Sequence, residues 1–152
     1  MKKFLIATAG FVFLGLLFQG AAFAQRPTTG DRRLDSLLGE INQQAKADPE
    51  GFILRLSLDH GVPEVEIRQA RERYGLSYGD AFMATVLSRI FGLPVIVVAE
   101  RYKKNEGQGW GVMAKSMGIK PGSPEFKRMK ANASGAVNRM KAIAKAQKRR
   151  QK

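Results

Sequence analysis

Two segments of the chain share one spacing of glycine and proline, and this spacing restricts the chain to short, sharply ended elements. The segment GVPEVEIRQARERY, residues 61–74, aligns without a gap with GLPVIVVAERYKKN, residues 92–105. One inserted residue then brings GLSYG, residues 75–79, over GQGWG, residues 107–111. The four identical positions are all glycine or proline, the residues that most strongly determine backbone conformation. We therefore predict an internal repeat, with copies at residues 61–79 and 92–111.

Each copy predicts a helical hairpin that carries an aromatic residue at its corner. A proline in the first turn begins one helix, and a glycine ends it about three turns later. Tyr78 in the first copy and Trp110 in the second then open the next helix, behind Ser77 and Gly109 as N-caps. Asp80 is placed to complete a capping box with Ser77. We interpret both rings as packing anchors, and as second-rank candidates for contact with a partner.

The rest of the mature chain is also patterned for helices. Asp31 precedes apolar residues at spacings of three and four, and Asp48 and Ser123 each stand before a proline at a helix start. A glycine follows each corner aromatic and leaves room for two helices to approach closely. The β-branched run LPVIVVAE, residues 93–100, aligns with a helical segment of the first copy, so we predict a helix there. We expect an all-α domain of two repeated helix-turn-helix hairpins with a basic amphipathic C-terminal helix.

The N-terminal residues carry the pattern of an export signal. Two lysines precede an uncharged, mostly apolar run over residues 4–18, and an Ala-Phe-Ala cleavage site follows. The run is short and broken by glycine, whereas a membrane span needs about 20 apolar residues. We predict a cleavable signal peptide, residues 1–24, cut between Ala24 and Gln25, and a periplasmic or secreted mature chain. The sequence has no cysteine, so the exported fold is expected to depend on its core without a disulfide.

Charge is distributed unevenly along the predicted mature chain. The formal charge of the full sequence is +13, and two of these charges are the lysines of the signal, so the predicted mature chain carries +11. Residues 25–100 hold 9 basic against 11 acidic residues, whereas residues 101–152 hold 15 against 2. No acidic residue follows Glu125. This asymmetry favours an anionic partner over a role in solubility alone.

The C-terminal segment predicts a basic amphipathic helix. Its apolar positions follow a heptad spacing over residues 126–147. We divide the mature chain into a helical domain, residues 25–130, and a basic C-terminal helix or tail, residues 131–152, frayed beyond Ala146. Removal of residues 132–152 is expected to abolish anion binding and to leave the domain folded. The candidate anion-binding residues are Lys127, Arg128, Lys130, Arg139, Lys141, Lys145, Lys148, Arg149 and Arg150.

This helix suits nucleic acid, anionic polysaccharide or lipid headgroups as its anionic partner. Polyanions bind basic segments by counterion release, and each Lys or Arg near an anionic membrane contributes about 1 kcal/mol. The apolar stripe of the helix holds no tryptophan. It therefore suits docking on its own domain or on a partner protein better than deep insertion into lipid. A solvated basic tail without a dedicated ligand is the alternative.

The sequence does not support catalysis. His60, the one histidine, is expected to cap a helix end beside Asp59. Ser57, Asp59 and His60 are too close in sequence to be interpreted as a catalytic triad. No spacing of His, Asp or Glu indicates a metal site, and no glycine-rich motif indicates a nucleotide cofactor. We expect a non-enzymatic protein without metal or cofactor, and no small-molecule substrate is evident.

Residues 112–130 resemble the bacterial helix-turn-helix motif. Ala114 and Gly118 have the spacing of its small residue and its turn glycine. Its core would be formed by Met113, Met117, Ile119 and Phe126. The resemblance implies an intracellular DNA-binding regulator in which Lys127, Arg128 and Lys130 contact phosphate groups of the DNA. The turn is longer than the usual one, and the export signal argues against this alternative.

The same region also resembles small exported bacterial proteins of unassigned function that carry a G-x-G-W-G-x-[IM]-A-K-x-x-G-[IVL] element. The matching residues are Gly109, Trp110, Gly111, Ala114, Lys115 and Gly118, and a glycine–aromatic–glycine copy lies upstream. The resemblance covers about residues 52–130 and implies a helical exported protein, without a site, cofactor or reaction. We expect an exported, non-catalytic protein that binds anionic polymers or surfaces.

Overall fold

The structure is a computed structural model that describes residues 29–105 and 108–151. Within these residues the chain forms seven α-helices and no strand, which confirms the predicted all-α fold. The predicted signal peptide, residues 1–24, and position 107 of the second copy lie outside the described residues. The helices are α1 (Arg32–Ala45), α2 (Pro49–His60), α3 (Glu64–Tyr74), α4 (Tyr78–Phe91), α5 (Val95–Lys104), α6 (Gly109–Ser116) and α7 (Pro124–Arg150).

α4 lies at the centre of the molecule because most of its residues are apolar or small. Every residue from Gly79 to Ser88 is buried, as expected for a helix without a broad polar face. α1, α2, α3, α5 and α7 all pack against it. The hydroxyl of Thr85 donates to the carbonyl O of Ala81 at 2.8 Å, and that of Ser88 donates to the carbonyl O of Leu93. Both hydroxyls of this buried run are therefore satisfied.

The helix starts confirm three of the predicted N-caps, Asp48, Ser77 and Ser123. Four N-cap side chains each accept a hydrogen bond from the backbone N–H three residues later: Asp31, Asp48, Ser77 and Ser123. Asp80 accepts in return from the backbone N–H of Ser77, which completes the capping box. Gly61 ends α2 at φ 60°, in the left-handed region that glycine adopts without steric cost.

The two copies of the predicted repeat fold into helix pairs that differ. α3 and α4 correspond to the first copy, and α5 and α6 to the second. Pro63 and Pro94 both occupy the N-cap instead of the first helical turn, and Gln108 rather than Gly109 caps α6. α4 has 14 residues, whereas α6 has 8. α5 also packs across the copies on both α3 and α4, so the arrangement as two repeated hairpins is not confirmed, and the repeat stays a prediction.

Gly79 and Gly111 both lie where another backbone segment approaches closely. A Cβ at Gly79 would lie 3.0 Å from the carbonyl O of Leu38 in α1, so the predicted close approach of two helices is confirmed there. A Cβ at Gly111 would collide with the carbonyl O of Thr29. The neighbour of Gly111 is thus the segment before α1 and not a helix, which corrects the prediction for the second copy.

α7 is one continuous helix whose first half belongs to the core. Its buried residues are Met129, Ala133, Ala136, Val137 and Met140, which fit the predicted heptad stripe. The helix continues to Arg150, so the predicted fraying beyond Ala146 is wrong. The predicted domain boundary between residues 130 and 131 falls inside this helix. Since four of the buried residues follow residue 131, removal of residues 132–152 would take away part of the core.

Candidate anion-binding surface

Several of the predicted anion-binding residues instead bind carboxylates of the domain itself. Lys130 Nζ lies 2.8 Å from Asp31 Oδ2 at the start of α1. Arg139 Nη2 lies 2.6 Å from Asp59 Oδ2 near the end of α2. The hydrogen bond from Lys130, supported by the backbone N–H of Leu34, holds the pKa of Asp31 below its ordinary value. These cations are already neutralised locally, so they are poor candidates for an external anion.

A third such contact joins Lys141 to Glu40. Asp31 at the start of α1 pairs with Lys130, and Glu40 further along α1 pairs with Lys141 further along α7. The two helices therefore run in the same direction. Lys141 remains more than half exposed, at 58% of its side chain. Nothing local in the sequence marks these pairs, because the partners lie about 100 residues apart and meet only through the register of α1 against α7.

Four basic residues remain exposed at the end of α7, and we call them the distal basic cluster: Lys145, Lys148, Arg149 and Arg150. Among the described residues, no carboxylate lies within ion-pair distance of them. They span about two helical turns, so four positive charges are concentrated in a short segment. Cations in the last turn also interact favourably with the negative end of the helix dipole, which stabilises this end without any ligand.

Lys127 and Arg128 lie near the opposite end of α7. Both are exposed, and Arg128 Nη2 lies 3.4 Å from Glu125 Oε1 in the same helix. At 1.5 Å per residue, Lys127 is about 27 Å from Lys145 along the helix axis. The nine predicted residues therefore do not form one surface. The structure divides them into a proximal pair, three residues paired with carboxylates outside α7, and the distal basic cluster.

Trp110 is buried completely and connects three helices. Its ring stacks on Tyr102 of α5, with ring centroids 3.9 Å apart and planes 5° from parallel. Its Nε1 donates a hydrogen bond of 2.7 Å to Asp80 Oδ1 of α4. A buried indole normally requires such an acceptor. These contacts favour the interpretation of Trp110 as a packing anchor over that of a partner contact.

Asp80 is the residue whose main role could not be inferred from the sequence. It was predicted as a capping residue, and it does accept from the backbone N–H and the hydroxyl of Ser77. Only 7% of the residue is exposed, and its second oxygen is used for the Trp110 indole. The local signal, an acidic residue three positions after a serine, identifies the cap but gives no indication of the distant partner.

Tyr78 is half-buried at the start of α4. The ring of Phe52 meets it edge to face at a centroid distance of 5.5 Å. The guanidinium carbon of Arg71 lies 4.2 Å from the ring centroid, in cation–π geometry. With an aromatic neighbour on one side and a guanidinium over its face, Tyr78 also acts mainly in packing.

A cleft of about 460 Å³ opens beside Trp110, between α6 and the start of α7. It is lined largely by apolar side chains, which include Val112, Ile119, Phe126 and Met129. A volume of this size lies within the range of small-molecule sites, about 300–1,000 Å³. The residues that complete the lining are Thr29, Gly30, Asp31, Gln108, Trp110, Gly111, Ala114, Lys115 and Pro121.

His60, the one histidine of the sequence, is in contact with an aromatic residue of the core. His60 ends α2 and lies edge-on to Phe82, with ring centroids 6.0 Å apart. Burial lowers the pKa of His60, against the opposing effect of Asp59. In residues 29–105 and 108–151, no group of three or more His, Asp or Glu residues is placed to hold a metal ion.

The segment that resembles a helix-turn-helix has the expected apolar residues inside. Met113, Ala114 and Ile119 are buried, and Phe126 packs against the core. Lys130, however, is held by Asp31. The connection from α6 to α7 extends from residue 117 to residue 123, which is longer than the three to four residues usual for the DNA-binding motif.

Comparison of the chain with protein-family models, with curated proteins and with solved structures gives no match. Among the described helices, none alone is long and apolar enough to cross a membrane. Only α4 and α5 together meet that requirement by length and composition, as a pair bent by 117°.

Proposed function

We propose that the chain is an exported, non-catalytic protein that binds anionic polymers or surfaces through the distal basic cluster. The observation that carries this proposal is the exposure of four neighbouring cations, none of them paired with a described carboxylate, at the end of a helix whose first half is packed in the core. No acidic residue follows Glu125 in the sequence, and no carboxylate of the described residues forms an ion pair with the cluster. Export is proposed from the signal pattern of residues 1–24.

Polymers are favoured over insertion into lipid because the apolar stripe of α7 is already occupied. Met129, Ala133, Val137 and Met140 are buried in the domain. The part of α7 that follows Met140 offers only one larger apolar residue, the half-buried Ile143, besides alanines. An amphipathic helix needs a free apolar face to enter a bilayer. The distal basic cluster is therefore suited to binding a polyanion at the protein surface, and the attraction would be mainly electrostatic.

The test is the affinity of the mature chain, residues 25–152, for a 20-base-pair DNA duplex used as a model polyanion. A triple variant with Lys148→Gln, Arg149→Gln and Arg150→Gln should bind at least about tenfold more weakly at 100 mM salt, because three phosphate contacts are lost. The matched control is Arg32→Gln, Arg33→Gln and Lys120→Gln, which removes the same charge from exposed positions at the start of α1 and in the connection before α7, away from the distal basic cluster.

The control separates a local site from the effect of net charge. The proposal predicts that the control variant keeps affinity within about twofold of wild type, since long-range attraction is largely screened beyond about 10 Å at 0.1 M salt. Equal losses in the two variants would mean that only total charge matters, as in a merely solvated tail. Strong preference for one duplex sequence over another would instead support the DNA-binding regulator.

A further inference from the structure

We infer that the cleft beside Trp110 binds an anionic amphiphile, a molecule with an alkyl chain and a carboxylate head of the fatty-acid type. The inference does not depend on the distal basic cluster. Met129 in the wall of the cleft is 19 residues, or about 28 Å of helix, from Lys148. It therefore concerns a second site with a different ligand class.

The alkyl chain is indicated by the composition of the cleft wall. Ile119, Phe126 and Met129 provide apolar surface from α7 and from the turn before it, and Val112 provides it from α6. Val112 is 49% exposed, although removal of an aliphatic side chain from water is energetically favourable. A bound alkyl chain would cover these groups and would take the place of water in a largely apolar space.

The anionic head is indicated by the charges at the rim. Lys115 lies three residues after Val112 on α6, so both side chains are on one side of that helix. Lys115 is exposed, and no carboxylate among the described residues pairs with it. The one acidic residue that lines the cleft, Asp31, is neutralised by Lys130 at 2.8 Å. Among the described residues that line the cleft, a carboxylate at the rim would thus meet a free cation and no free anion.

The experiment uses the mature chain, residues 25–152, and sodium dodecanoate below its critical micelle concentration. Trp110, the one tryptophan of the sequence, lies in the cleft wall and reports occupancy through its fluorescence. We expect a saturable change with dodecanoate. Dodecyltrimethylammonium, which has the same chain and a cationic head, should bind at least about tenfold more weakly because its charge faces Lys115.

Two variants with matched controls locate the site. Val112→Glu should lower dodecanoate affinity by at least about tenfold through like-charge repulsion, whereas Val65→Glu, at another exposed valine, should not change it. Lys115→Gln should lower affinity about fivefold, and Lys145→Gln should not. Both valines are exposed, so circular dichroism should show the same helical fold in each variant.

Three results would overturn the inference: no saturable change with dodecanoate, equal affinity for the cationic amphiphile, or equal losses in Val112→Glu and Val65→Glu. The two proposals fail separately. The triple variant of the distal basic cluster should retain dodecanoate binding, and Val112→Glu should retain binding to duplex DNA.

Discussion

At the scale of single residues, Asp80 links a local helix cap to the packing of the second half of the molecule. One of its oxygens accepts from Ser77, and the other accepts from the indole of Trp110. Trp110 in turn stacks on Tyr102 of α5. The position of α6 relative to α4 therefore depends on a capping residue. Glu66 acts similarly, since its carboxylate accepts from the backbone N–H of Val95 at the start of α5.

The contact between Asp80 and Trp110 can be measured with a double-mutant cycle. Asp80→Ala and Trp110→Phe should each lower the free energy of unfolding, and their coupling should be about 1–3 kcal/mol because either change removes the buried hydrogen bond. Urea unfolding gives the four values that are needed. Asp48→Ala, at a capping aspartate of α2, should be additive with Trp110→Phe, and additivity for Asp80→Ala as well would contradict this role.

The pair of Asp31 and Lys130 should make stability depend on pH. Asp31→Asn keeps a good N-cap for α1 but loses the ion pair, so we expect a loss of about 1 kcal/mol in the free energy of unfolding at pH 7. Because the folded state lowers the pKa of Asp31, this contribution is present above the unfolded pKa. It disappears as the pH falls through the lower pKa of the folded state.

Urea unfolding of wild type and Asp31→Asn at pH 7 and at pH 3 tests this dependence. The difference between the two proteins should shrink at pH 3. Lys130→Gln should show the same behaviour, since it removes the other partner of the pair. A difference of equal size at both pH values would show that the ion pair contributes nothing and that the loss arises from the cap.

At the scale of elements, helix starts could be predicted and helix neighbours could not. The caps at Asp48, Ser77 and Ser123 are encoded within three residues of each helix start. The parallel course of α1 and α7 depends instead on contacts between residues about 100 positions apart. The heptad stripe of α7 predicted an apolar face, but it did not show that the face completes the core.

Truncation of α7 tests its part in the core. Removal of residues 132–152 takes away Ala133, Ala136, Val137 and Met140 from the core. Loss of one large buried side chain already costs about 2–5 kcal/mol, and a domain of this size has about 5–15 kcal/mol in total. We therefore expect no cooperative thermal transition by circular dichroism.

A shorter truncation serves as the control. Removal of residues 145–152 deletes only exposed positions among those described, together with the distal basic cluster. We expect the melting temperature to stay within about 4 °C of wild type, because a shift of this size corresponds to a change of less than about 1 kcal/mol in the free energy of unfolding. We expect DNA binding to be lost. A wild-type melting temperature in the longer truncation would contradict the placement of α7 in the core.

At the scale of the whole molecule, the charge asymmetry of the sequence has two structural outcomes. Three acidic residues in α1, in α2 or at the N-cap of α1 neutralise part of the charge of α7: Asp31, Glu40 and Asp59. The rest of the charge collects in the distal basic cluster. Sequence counts predicted the excess of cations, but only the packing of α7 shows which of them are free to meet a ligand.

The salt dependence of binding by the wild-type mature chain tests the central claim most directly. Affinity for two unrelated 20-base-pair duplexes would be measured between 50 and 200 mM salt. Each phosphate contact contributes about −0.9 to the slope of log affinity against log salt, so four contacts predict about −3.6, with equal affinity for both sequences. A slope near zero, or no detectable binding at 50 mM salt, would contradict the proposed role of the distal basic cluster.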